Sequence, residues 1–306
     1  MKKDLISLAD LSPQELQGYL DDAVSLKTAH KEGRAKPLLA GKTLGMIFQK
    51  PSLRTRVSFE VGMLQLGGHA LYLSPNEIQL GVRESVADVA RVLARYVDGI
   101  MARVFAHSDI EALAQHATVP VINGLSDLTH PCQGLADFLT MYEHKGRLAG
   151  LKLAYVGDAN NVYNSLLFGA TKLGMHIACG SPIGYGPKPI ILERAMVFAA
   201  ASGSKITVTD DPVLAVRNAD VIYTDVWTSM GQEAETARRR EVMQPFQINS
   251  TLVASANPGA IVMHCLPAHR GEEITDEVVD GQHSVVFDQA ENRMHAQKAV
   301  LVKLMG

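Results

Sequence analysis

From Thr43 to Ser126 four short apolar runs alternate with segments of helical periodicity, and from Leu151 the alternation begins again. The runs "TLGMIFQ", "HALYLS", "GIMARV" and "VPVINGLS" have the length of strands. Between them, "RVSFEVGMLQLGG", "SVADVARVLARYV" and "SDIEALAQHA" repeat apolar residues at helical spacing, and Gly67-Gly68 stops the first. The second block offers "LKLAYVG", "HIACGSP", "KITVTDD", "VIYTDVW" and "AIVMHCLP" as strands. Helical patterns lie between most of them, and "AENRMHAQKAVLVKLM" reads as a last helix. Strands that alternate with helices form parallel sheets covered on both faces, because each return to the sheet needs a crossover long enough for a helix. The expected fold is therefore α/β, two doubly wound domains, each a parallel β-sheet flanked by helices.

The chain has 306 residues, which suits two domains of about 150 residues each. The long helical stretch "PCQGLADFLTMYEHKG" separates the two blocks. The expected division is 1–135 and 136–289, with a C-terminal helix of about 290–306 returning to the first domain. Ser12-Pro13-Gln14-Glu15 carries an N-cap serine, a proline at N1 and a glutamate at N3, which opens a helix with a capping box. In open α/β sheets ligands bind beyond the carboxyl ends of strands, so the site is expected in the cleft between the domains. The chemically rich segments do follow apolar runs.

In "FQKPSLRTRVSF", Ser52 can cap a helix whose first turn holds Arg54, Thr55 and Arg56. Free N–H groups, a hydroxyl and guanidiniums there suit a phosphate-sized anion, although a capped surface helix is the plainer reading. Arg103 ends one strand. His130, Cys132 and Gln133 surround Pro131 after the next, either as donors to a carbonyl or as incidental groups at a helix start. "YVGDANNVY" lacks G-x-G-x-x-G, which removes a dinucleotide site and leaves Asn160 and Asn161 for a small polar group or a capping turn. Asp225 ends the strand before Ser229, Met230 and Gly231, where it could hold an ammonium group or cap a helix. Arg293 on the last helix is a further anion ligand or a salt-bridge residue.

"IVMHCLPAHRGEE" packs His264, Cys265, His269 and Arg270 behind a strand. Its spacing matches no common zinc pattern, so no metal is expected. A net charge of −3 gives no reason to expect nucleic acid or a membrane surface as partner. The three cysteines, Cys132, Cys179 and Cys265, form no CxxC pair and fit a reducing compartment. The N-terminus is a poor signal peptide, and no stretch approaches the roughly 20 apolar residues of a membrane span. The expectation is a cytoplasmic protein.

In this order, "SLRTR", "HPCQ", "DVWTSMG" and "HCLPAHRG" resemble the carbamoyltransferases, and within them the ornithine-specific branch. The resemblance runs from Lys42 to the end. The aspartate-specific branch shares the first two motifs but lacks the Ser-Met-Gly loop and has Pro-Leu-Pro where this chain has Cys-Leu-Pro. The resemblance implies carbamoyl phosphate held by Ser52, Leu53, Arg54, Thr55, Arg103, His130, Gln133 and Arg293, with Gln79 reaching the site from a neighbouring subunit. It implies L-ornithine held by Asn161, Asp225, Ser229 and Met230, with Cys265 and Leu266 at the reacting centre and also against the carbamoyl group. Arg103, His130, Cys265 and Asp225 are the implied catalytic set. No cofactor is implied, the assembly would be a homotrimer or a multiple of trimers, and the setting is arginine metabolism. Leu53 departs from the threonine of many members, which removes one hydroxyl contact worth about 1 kcal/mol. The competing readings are a carbamoyltransferase for a related amine such as N-acetylornithine, and a non-catalytic binder of anions or amino acids.

Overall fold

The structure is a computed structural model that describes residues 2–228 and 233–306. It contains two compact units. The first comprises Met1–Leu139 and Glu291–Gly306, and the second Thr140–Ala290. The division falls inside a helix, a few residues beyond the expected 135.

The first unit holds α1 (Pro13–Lys31), β1 (Thr43–Phe48), α2 (Leu53–Gln65), β2 (His69–Leu73), α3 (Pro75–Ile78) and α4 (Val86–Leu93). It continues through β3 (Gly99–Arg103), α5 (His107–His116) and β4 (Val121–Leu125) into α6 (Pro131–Lys145). Its four strands are all parallel, in the order β2-β1-β3-β4. β1 and β3 are buried almost throughout, as expected of strands covered on both faces, whereas the edge strand β2 is half exposed. The other edge is not bare, because Leu5 donates to Val121 O at 2.9 Å and accepts from Asn123 N at 2.8 Å. The expected capping box is present at Ser12 and Glu15. A second one, at Ser74 and Glu77, opens α3.

The second unit holds β5 (Lys152–Val156), α7 (Asn161–Lys172), β6 (His176–Gly180), α8 (Pro189–Ser202), β7 (Ile206–Thr209) and α9 (Pro212–Val216). It continues with β8 (Val221–Thr224), α10 (Thr236–Met243), α11 (Ser250–Val253), β9 (Ile261–His264) and α12 (Asp276–Val279). The last helix, α13 (Val286–Met305), begins four residues before the expected start and runs from the second unit into the residues of the first. The five strands are parallel, in the order β7-β6-β5-β8-β9.

Each order contains one reversal. In the first unit the chain leaves β1 for β2 on one side and β3 on the other, and in the second it leaves β5 for β6 on one side and β8 on the other. Helices cross to opposite faces at such a point and open a crevice at the strand ends. The residues just after β1 and at the end of β3 are Ser52–Thr55 and Arg103. Those after β5 and β8 are Asn160, Asn161 and Asp225.

Candidate active site

In the first unit the crevice is built on the start of α2. Ser52 is its N-cap and accepts the Thr55 N–H at 3.3 Å. The Ser52 hydroxyl lies 3.1 Å from Thr55 Oγ1, which also accepts from Arg293 Nη2 at 2.7 Å. Thr55 is fully buried, and Arg293 is nearly so. The helix start thus presents its first N–H groups, those of Leu53 and Arg54, with an arginine from α13 fixed behind them. Leu53 points its side chain outward at 75% exposure, so this position offers backbone rather than side chain.

Arg103, the last residue of β3, and His130, just before α6, are both buried. Burial holds the His130 imidazole well below its ordinary pKa, and Arg293, Arg103 and Lys50 push in the same direction. The ring is neutral, and three cations stand near it. Lys50 is itself buried, 4.5 Å above the Phe105 ring, and burial beside Arg103 lowers its pKa. Lys50 is the residue that sequence reasoning missed, although it sits inside the quoted "FQKPSLRTR". Gln133 is buried on the first turn of α6 and donates to Asp137 Oδ1 at 2.7 Å. Its Oε1 is buried without a hydrogen-bond partner among the described residues. Gln79 is exposed at the end of α3, in the left-handed region with φ 45°. This cluster of the first unit suits a compact anion that carries a carbonyl.

In the second unit Asp225 follows β8 and is buried. Its Oδ2 accepts from Asn160 Nδ2 at 2.7 Å, and its Oδ1 from the Val226 N–H at 2.8 Å. Cys265 Sγ donates to the same Oδ1 at 2.9 Å. Asn160 caps α7, accepting from Val162 N and Tyr163 N, and so ties the carboxylate to the helix on which Asn161 is the first residue. Gly157 makes the turn out of β5 with φ 131°, in the region that favours glycine. Arg239 is buried and links Asp158 Oδ2 at 2.8 Å to Trp227 O at 3.1 Å. Ser229 and Met230 lie outside the described residues.

Asp225, His264 and Cys265 bring ligand-type atoms within 4.8 Å of one another, as do His269, Glu272 and Glu273. Both ring nitrogens of His264 are already engaged, Nδ1 by Leu266 N at 2.8 Å and Nε2 by Glu273 Oε1 at 3.0 Å. A metal there would have to displace one of them. Arg270 pairs with Asp276 and Asp280 on the surface.

Two family models match. One, for the carbamoyl-P binding domain of aspartate/ornithine carbamoyltransferase, covers residues 3–143. The other, for the Asp/Orn binding domain of the same family, covers residues 149–304. A curated relative from Thermococcus kodakarensis, named ornithine carbamoyltransferase, is 58% identical over 304 residues, covering 99% of this chain and 96% of its own. One from Pyrococcus furiosus, named as the anabolic ornithine carbamoyltransferase, is 57% identical over 304 residues, again covering 99% of this chain and 96% of its own. A solved ornithine carbamoyltransferase from Pyrococcus furiosus superposes with a TM-score of 0.97 at 57% identity, covering 100% of this chain and 97% of that one.

Proposed function

Because the chain belongs to the aspartate/ornithine carbamoyltransferase family, we propose that it is an enzyme that transfers the carbamoyl group of carbamoyl phosphate to the δ-amine of L-ornithine. The products are L-citrulline and phosphate. The observation that carries this reading is the buried cationic half-site around a neutral His130. An amine acceptor does not need such a site, whereas a carbonyl joined to phosphate does.

The phosphate lies against the N-terminus of α2, with Ser52, Leu53 and Arg54 offering backbone N–H groups and Arg54 and Arg293 supplying charge. Gln133 Oε1 and the Leu266 backbone carbonyl accept from the carbamoyl amide N–H groups. The δ-amine of ornithine has an ordinary pKa near that of lysine, about 10.4, and must arrive unprotonated. The cations around the carbamoyl group disfavour a further positive charge and lower that pKa. Attack on the carbonyl carbon gives a tetrahedral oxyanion. Arg103 and the neutral His130 donate to it, and so does Thr55, whose oxygen already accepts from Ser52 and Arg293. The oxyanion then collapses, the C–O bond to phosphate breaks, and phosphate leaves into the cradle that bound it, taking the proton that the attacking nitrogen gives up.

Asp225 pairs with the α-ammonium of ornithine and fixes its orientation, with Asn161, Ser229 and Met230 completing the grip. Cys265 touches the incoming amine. On the family resemblance we also propose a cytoplasmic homotrimer, or a multiple of trimers, in which the exposed Gln79 of one subunit reaches the donor site of its neighbour. Among the described residues no helix is long and apolar enough to cross a membrane.

Carbamoylation of an amine panel tests the reading: ornithine, N-acetylornithine, putrescine, lysine and aspartate, each with carbamoyl phosphate. Ornithine is expected to dominate. Trace activity with ornithine and strong activity with another amine would falsify it.

A further inference from the structure

Behind Cys265 and Leu266 stands a buried pair with no part in the transfer so far. His264 and Glu273 both have 0% side-chain exposure, and His264 Nε2 lies 3.0 Å from Glu273 Oε1. On the other side of the ring, Nδ1 is 2.8 Å from the backbone nitrogen of Leu266. An amide nitrogen only donates, so Nδ1 is the acceptor and carries no proton. The ring proton is then on Nε2, facing the carboxylate. The imidazole is a neutral bridge whose tautomer is set by its second partner.

What this bridge holds is an unusual backbone. Leu266 has φ 57°, the left-handed region that a residue with a branched side chain adopts only where its surroundings enforce it. Glu273 reinforces the same segment, because its Oε1 also accepts the His269 N–H at 2.6 Å. The strand end is fixed from behind as well. Gln289 Oε1 accepts the His264 N–H at 2.9 Å, and Gln289 Nε2 donates to the Tyr223 hydroxyl at 3.1 Å. The His264 and Leu266 N–H bonds flank Cys265, and the bonds of Glu273 and Gln289 hold their acceptors in place from behind.

We propose that Glu273 and His264 are positioning residues for the transfer. The carboxylate sets the imidazole tautomer, the imidazole sets the Leu266 backbone, and the Leu266 carbonyl and Cys265 thiol are thereby aimed at the reacting atoms. This rests on the reading above that Cys265 and Leu266 face the substrates.

Two substitutions separate the ring nitrogens. His264→Asn places an amide oxygen near the position of Nδ1 and keeps the acceptor for Leu266. His264→Gln places its polar end near Nε2 and keeps the link to Glu273. With ornithine, kcat of H264Q is expected at least about tenfold below that of H264N, with KM for carbamoyl phosphate alike in both. Glu273→Gln keeps an acceptor oxygen and the side-chain volume, and is expected within about threefold of the parent. Equal kcat in the two His264 variants, or kcat that simply follows Tm across the set, overturns the proposal. The parent protein provides a check that does not depend on how the variants fold. Proton–nitrogen correlation spectra of the His264 ring should show the proton on Nε2, and a proton on Nδ1 overturns the proposal. A parent chain with the Nε2–H tautomer that carbamoylates no ornithine overturns the functional reading and leaves the His264–Glu273 link standing.

Discussion

Asp225 gathers three donors from three places in the sequence: the Asn160 amide, its neighbour's N–H and the Cys265 thiol. A carboxylate so held is oriented before any substrate arrives. Asp225→Ala is expected to raise KM for ornithine by about 10- to 100-fold, the value of one charged hydrogen bond, with a smaller effect on kcat. Arg103→Ala removes a donor to the developing oxyanion and is expected to lower kcat by about 100- to 1000-fold. Steady-state kinetics with each substrate varied in turn separates the two, and equal small effects from both would remove these assignments. The thiols give a second test. Burial pushes Cys132 up to about 12 and Cys179 up to about 11, whereas Cys265 is partly exposed. Alkylation followed by mass spectrometry is therefore expected to label Cys265 first, and ornithine to slow the labelling. Faster labelling of Cys132 would contradict the described burial.

Two serine caps show how one local device serves two purposes at the level of the element. Ser12 caps α1 and Ser52 caps α2, each accepting an N–H three residues on. Replacement by alanine is expected to cost about 1 kcal/mol of stability in each case. Only Ser52→Ala is expected to raise KM for carbamoyl phosphate as well, because only α2 starts at the anion cradle. Thermal unfolding and donor kinetics on both variants check this, and a donor KM unchanged in S52A would detach the helix start from the phosphate. Such caps were legible in the sequence because they are local: Ser12-Pro13-Gln14-Glu15 is written in consecutive letters. The same pattern at Ser74-Pro75-Asn76-Glu77 went unread, since a helix of four residues has no periodicity to announce it. What could not be read is what the tertiary fold brings together. Thr55 meets Arg293 across 238 positions, Lys50 joins Arg103 and Arg293 around His130, and Glu273 disappears into the core behind His264. Motif order pointed to the segments, but the side chains behind them follow from sheet topology, which no local pattern encodes.

For the whole molecule, the two units respond differently to acid. His130 and His295 both lie in the first unit and are both buried. Burial, with Arg293 and Arg103 next in order, holds His130 well below 6.5, and burial lowers His295 from 6.5 to about 4. A histidine depressed in the folded state takes up protons on unfolding once the pH falls below its unfolded value. Stability is therefore lost as pH drops from 6.5 toward 4. Glu291, also in the first unit, is lowered by Lys27, His295 and Lys31 against its desolvation, so it too loses stability on acidification. In the second unit burial raises the Asp158 carboxyl against the pull of Arg239. A raised carboxyl has the opposite sign: its folded form keeps its proton longer, so acidification from neutral pH favours the folded state. Asp280 there is lowered by Arg270, but that pair is exposed and screened by water. The first unit should therefore open first. Hydrogen exchange read by mass spectrometry between pH 7 and pH 4.5 is expected to show peptides from β1, β3 and α13 losing protection before those from β5 and β8. His295→Phe is expected to flatten the pH dependence of the first set alone. Earlier exchange in β5 and β8 would mean that packing in the second unit, rather than buried histidines in the first, sets the acid limit.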